Sequence, residues 1–160
     1  MHLTPAQYQA LKTAILADPI LAALPRNSDS DVAIANALNL NATPNFTVWK
    51  TSVSVTQIGD NFVGSELAGL TTANQTRLQT IALYSPIVNP SLVDRRAFFD
   101  DVFSGTGGQQ TRTKLLVLWK RLATRFEKIY AVGTGSDASP ATLVIEGILD
   151  PQEVDIALNS

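Results

Sequence analysis

Tyr8, Leu11 and Ile15 recur at steps of three and four, the spacing that lines one face of a helix with apolar side chains. Thr4, Pro5 and Gln7 precede them in the order of a capping box with proline at the first helical position. A first helix is therefore predicted from the capping threonine onward. Asp18-Pro19 breaks it, because the residue before a proline is pushed away from helical geometry. Ile20, Leu21 and Leu24 continue as an apolar connector that ends at Pro25. Asn27, Ser28, Asp29 and Ser30 offer caps for a second helix, with Val32, Ala35 and Leu38 inward, Ile34 flanking, and Asn39, Asn41 and Pro44 closing it.

Phe46, Val48 and Trp49 show no helical period. Val53 and Val55 alternate as in a strand, but Ser54 and Gln57 also read as a capping box, which favours a short helix. Gly59 and Gly64 bracket a loop. Thr72 and Gln75 form another capping box ahead of Leu78, Ile81 and Ala82, and Ser85-Pro86 stops that helix. Asn89-Pro90 repeats the cap-then-proline pattern before Val93, Ala97, Phe98 and Val102, ending near Gly105. Leu115, Leu118, Trp119, Leu122, Phe126 and Ile129 then keep near-heptad spacing, which predicts one long central helix. Residues 133–140 have the composition of a linker. Residues 142–149 carry the branched, apolar bias of a strand, and Asp150-Pro151-Gln152-Glu153 caps a terminal helical turn. No repeat of solenoid period is present. The expected fold is mainly α: an irregular helical bundle over 1–132, with a long central basic amphipathic helix, and an extended C-terminal arm with a short strand over 133–160, one domain overall.

With 160 residues, the chain is long enough to bury about 70% of its unfolded surface in one core. Apolar residues make up 45% and charged residues 16%. The second figure is low against about 25% in typical domains, which suggests either poor solubility of the chain alone or surface covered by partners. A net charge of −2 makes no general case for nucleic acid. With no cysteine, a disulfide frame and thiolate metal sites are excluded. The first residues lack the basic-then-apolar order of a signal peptide, and no apolar run reaches the roughly 18 residues of a membrane span. A soluble product with no membrane partner is the expectation.

Catalytic candidates are few. His2 is the one histidine, and a chain end is a poor place to hold a base for a serine triad. Asp100 and Asp101 are adjacent, so on a helix they point to different sides. Asp29 and Asp31 open like a calcium loop, but the glycine and distant glutamate of such a loop do not follow. They read better as helix caps. The stretch "SGTGGQQ" at 104–110 could cradle a phosphate at a helix start, yet it lacks the lysine and hydroxyl of a P-loop and follows a helix, not a strand. Its glycines are expected to stop one helix and start the next. No enzyme, cofactor or metal is expected.

Two features remain. Six of the twelve lysines and arginines lie between 112 and 128: Arg112, Lys114, Lys120, Arg121, Arg125 and Lys128. On a helix whose apolar stripe faces a core, they form a solvated outer face, or else one that meets phosphates or an acidic partner. From residue 131 onward there is no base, and Asp137, Glu146, Asp150, Glu153 and Asp155 make the tail acidic. The second feature is the apolar run of the arm, Leu143, Val144, Ile145, Ile148 and Leu149. It can either complete its own bundle or add a strand to a neighbouring subunit.

The stretch "LTPAQYQALKTAILADP" at 3–19 resembles the opening of a group of small tailed-bacteriophage proteins. "KRLATRFEKIYAVGTGSDASPATL" at 120–143 resembles their C-terminal part, and "VWKTSVSVTQI" at 48–58 is more loosely similar. The resemblance implies a virion structural protein of the head and neck region, of the head-to-tail connector or adaptor type. It also implies a homo-oligomeric ring beneath the portal, made in the bacterial host cytoplasm, with portal and tail or neck proteins as partners and packaged DNA in the lumen. Proteins of this type are helical bundles with an extended C-terminal arm. The resemblance carries no site residues onto this chain. The alternatives are another virion part, such as a capsid-decorating or tail-terminating protein, and a small DNA-binding regulator that uses the basic segment 112–128.

Overall fold

The computed structural model describes residues 2–160, the Tyr84 side chain excepted. The fold is mainly helical, as the periodicity predicts, with ten α-helices and six very short strands among the described residues. The chain divides into two compact units, one of Met1–Val48 with Leu122–Ser160 and the other of Trp49–Arg121.

The first unit opens with α1 (Pro5–Ala17). The Thr4 hydroxyl accepts from the Gln7 amide at 3.4 Å, and the Gln7 side chain accepts from the Thr4 amide at 2.8 Å. Asp18 ends α1 and caps the single turn α2 (Pro19–Ala22), accepting from the Ile20 and Leu21 amides. Asn27 caps α3 (Ser28–Leu38) through the Ser30 amide at 2.9 Å. Asp29 and Asp31 sit in its first turn, where the helix dipole favours negative charge. The chain leaves this unit along β1 (Thr47–Trp49).

In the second unit, β2 (Val53–Ser54) runs into α4 (Val55–Asp60) through the capping box of Ser54 and Gln57. Then come α5 (Gly64–Ala68), α6 (Thr72–Tyr84) and β3 (Ile87–Val88). The last pairs antiparallel with β2, Val53 opposite Val88 and Ser54 opposite Ile87. A seventh helix, α7 (Val93–Val102), leads through a 3-10 turn at Thr106–Gly108 to α8 (Gln109–Leu118). The turn needs glycine at 108, because a Cβ there would lie 2.1 Å from the Phe103 carbonyl oxygen. Phe99, Phe103, Leu115 and Trp119 fill this unit's core with Val53, Ile58, Val88 and Val102.

Strand β4 (Lys120–Leu122) returns the chain to the first unit. There it forms α9 (Arg125–Tyr130), a hairpin of β5 (Ala131–Val132) and β6 (Thr142–Leu143), and α10 (Pro151–Asn159). The hairpin is antiparallel, with Ala131 opposite Leu143 and Val132 opposite Thr142. Helix α10 lies against α1 and α3. Leu149, Val154 and Ala157 join Leu11, Ile15, Ile34, Leu38 and Phe126 in one core. Each fully buried aliphatic side chain of this kind contributes roughly 1.5–3 kcal/mol relative to exposure.

Three expectations are corrected. The long central helix is two helices, α8 and α9, separated by the extended residues of β4. The near-heptad stripe is divided accordingly: Leu115 and Trp119 are in the second unit's core and Phe126 is in the first unit's, while Leu122 is exposed. The chain does not divide at 132/133, since residues 133–160 belong to the same unit as α1–α3. Finally, the strand expected over 142–149 extends over two residues only.

Candidate functional site

The six basic residues do not share one helix face. Arg112 and Lys114 are on α8 and Lys120 and Arg121 on β4, in one unit; Arg125 and Lys128 are on α9, in the other. Arg112 is tied inward. Its Nη1 donates to the Phe103 carbonyl and, at 2.9 Å, to the Gly105 carbonyl, closing the free end of α7. Arg125 pairs with Asp18. The Asp18 carboxyl lies below the usual range, held there first by that guanidinium and then by the Leu21 and Ile20 amides, against the opposing effect of burial. Lys128 is exposed, with its ammonium 5.4 Å from the Phe46 ring centroid. Lys114 is exposed, and Lys120 and Arg121 are half-buried.

The glycine-rich turn has its own anion already. Glu66, buried on α5, accepts from the Gln110 amide at 3.0 Å and the Thr111 amide at 2.8 Å at the start of α8. Burial pushes the Glu66 carboxyl up. The Thr111 hydroxyl, these two amides and the Arg112 charge outweigh that effect and hold it below the usual range. The amides that a phosphate would need are thus engaged by a side chain of this chain.

The arm is fastened along its length. The Thr134 hydroxyl donates to the Ser139 carbonyl at 2.9 Å, and the Ser136 hydroxyl accepts from the Ser139 amide at 2.9 Å. Ala141 is fully buried, and its amide donates to the Thr47 carbonyl at 2.9 Å. Asn39 clamps Leu149 from both sides: its Oδ1 accepts from the Leu149 amide at 2.8 Å, and its Nδ2 donates to the Leu149 carbonyl at 2.9 Å. Of the five apolar arm residues, Leu149 is 1% exposed, Leu143 and Ile145 are half-buried, and Val144 and Ile148 are 63% and 79% exposed. Within this single chain the arm completes its own unit.

A polar cluster beneath the arm gave no sequence signal. The Tyr8 hydroxyl donates to the Glu153 carboxylate, and the Tyr130 hydroxyl donates to the Gln7 carbonyl at 2.8 Å. The Glu153 hydrogen bond, then burial and the Glu153 charge, raise the Tyr8 phenol. Burial, then the Glu153 and Tyr8 charges, push Tyr130 up to about 12. The cluster joins α1, α9 and α10. Asp101 pairs with Arg77 at 2.7 Å, so the two neighbouring acids face different surroundings. His2 is exposed at the chain start. Among the described residues, no group of three or more histidines, cysteines or acids is placed to hold a metal ion. No helix of the described residues is long and apolar enough to cross a membrane.

An apolar cavity of about 360 Å³ lies between α4, α5, α6 and α7, walled by Ile58, Phe62, Leu67, Leu78, Ile81 and Phe99. Gln75 and Gln79 are its polar lining, and no charged side chain enters it. Comparisons with protein-family models, with curated proteins and with solved structures give no match.

Proposed function

We propose that this chain is a non-enzymatic structural subunit of a tailed-bacteriophage virion, a head-to-tail connector or adaptor that assembles as a ring between portal and tail. The observation that supports this reading is where the two resembling stretches fall. Although they stand a hundred residues apart, 3–19 forms α1, and 120–143 supplies α9 and the β5–β6 hairpin. Arg125 with Asp18 and Tyr130 with Gln7 tie them together. These two stretches thus meet in one packed unit, apart from Lys120 and Arg121, while the more loosely similar 48–58 falls in the other unit from Trp49 onward.

The exposed apolar residues Val132, Val144 and Ile148 suit contacts with neighbouring subunits, and a cyclic ring requires such contacts between different faces of one subunit. Immunogold labelling of intact particles tests the proposal. Label at a single vertex, where head meets tail, is the expected result. Label spread over the shell would indicate capsid decoration, and unlabelled particles would leave the DNA-binding regulator.

A further inference from the structure

Formal charge is divided unevenly between the two units. The unit of Met1–Val48 with Leu122–Ser160 holds nine acids and four bases, a net −5, while Trp49–Arg121 holds eight bases and five acids, a net +3. The ion pairs Arg125–Asp18 and Arg77–Asp101 each lie within one unit and leave both excesses as they are. Two copies of such a chain attract when the acidic unit of one meets the basic unit of the next.

One surface on each unit combines this charge with exposed apolar side chains. In the acidic unit, the start of α3 and helix α10 border a cleft of about 490 Å³, lined in part by Arg26, Asp31, Val32, Pro151, Asp155 and Leu158. Val32 is 45% exposed, Asp155 is exposed and Asp31 is half-buried. Burial, and then the Asp155 charge, raise the Asp31 carboxyl against the opposing charge of Arg26. In the basic unit, Lys114 and Val117 stand three residues apart on α8, hence on one face. Lys114 is exposed, and Val117 is 70% exposed. A surface ion pair alone contributes little, but a valine beside each charge supplies apolar area to bury.

We propose that the α8 face of Lys114 and Val117 docks onto the α3–α10 cleft of a second copy of this chain, with Lys114 against Asp155 and Asp31 and Val117 against Val32. Nucleic acid would be drawn to the α8 face and repelled by the cleft, whereas a second copy satisfies both. The two surfaces differ, so the contact is head-to-tail and repeats from copy to copy, as a ring requires. It deepens the assembly reading and rests on it.

Sedimentation velocity of the full chain tests the contact at about 0.1 M and about 1 M sodium chloride, between which the screening length falls from about 10 Å to about 3 Å. Association at the lower salt that weakens at the higher is expected. Lys114→Glu or Asp155→Lys alone sets like charges against each other and should weaken association at least about tenfold. An equimolar mixture of the two variants should associate again, because each supplies the face the other lacks, and recovery also shows that both are folded. A chain that stays monomeric at both salt concentrations overturns the contact and leaves the two faces to other partners, while the number of copies in the particle still decides the connector reading. Association that neither variant weakens, or that the mixture fails to restore, overturns it as well.

Discussion

Replacing Leu149 with alanine separates an arm that belongs to the core from one that merely rests on it. Leu149 is 1% exposed, packs with Ile34, Leu38 and Val154, and has its backbone held by Asn39. A leucine so enclosed cannot be replaced by collapse of its surroundings, and Leu→Ala at such sites costs about 3 kcal/mol. That is a large share of the roughly 5–15 kcal/mol that holds a domain folded. With a urea m-value of about 2 kcal/mol/M, the unfolding midpoint should fall by about 1.5 M. Ile148 is the internal control: one residue away but 79% exposed, it should change stability by less than about 0.5 kcal/mol when replaced by alanine. Far-UV circular dichroism follows the transition. Tryptophan emission reports separately on the Trp49–Arg121 unit, to which both tryptophans belong. If Leu149→Ala unfolds at the parent midpoint, or if the two variants lose the same stability, the arm is not part of the core.

Asp18 and Glu66 both have carboxyls held below their ordinary values. The stability they contribute is therefore present above about pH 4 and lost as pH falls through their folded values. Urea midpoints should drop between neutral pH and pH 3 by less in Asp18→Asn and Glu66→Gln than in the parent, and equal drops would contradict this. Tyr130, pushed up to about 12, should ionise above the ordinary tyrosine range. Its raised value favours the neutral phenol, so that stability is complete below about pH 10 and is lost as pH rises towards 12. Tyr130→Phe should remove tyrosinate absorbance from the alkaline end of a spectrophotometric titration, and loss from the ordinary range instead would refute the assignment. Gly135 has φ +67°, and a Cβ there would stand 2.2 Å from the Phe46 ring. Gly135→Ala should destabilise by more than about 1 kcal/mol. Gly59→Ala, on α4 with open space around it, should be neutral or stabilise by about 0.4–1 kcal/mol. Thermal melts of the two variants should differ in that direction.

Helix starts were the most legible part of this sequence, because a cap is a local event. Thr4 with Gln7, Ser54 with Gln57, and Asp150 before Pro151 all cap as the sequence predicts. Near misses stay local too. The cap of α6 is Thr71 and not Thr72, and Asn89 folds back onto Ser91 while α7 begins at Val93. The long central helix failed where two signals competed. The near-heptad spacing across 115–129 suggested continuity, but Thr124 and Glu127 form a capping box, with the Glu127 amide donating to the Thr124 hydroxyl at 3.1 Å. A capping box in mid-stripe starts a new helix, and that signal was readable in the sequence. The candidate site was less legible. Six basic residues counted along a line became two sets in two units, because β4 carries the chain from one to the other. The roles of Asn39, Glu66 and Glu153 depend on partners 110, 45 and 145 residues away, and no spacing rule connects such distances.

Quantitative mass spectrometry of purified particles, with the major capsid protein as the internal standard, tests the connector proposal most directly. The account predicts about a dozen copies per particle, the order expected of one closed ring at a single vertex. Abundance on the scale of the capsid protein, or absence from the particle, would contradict it.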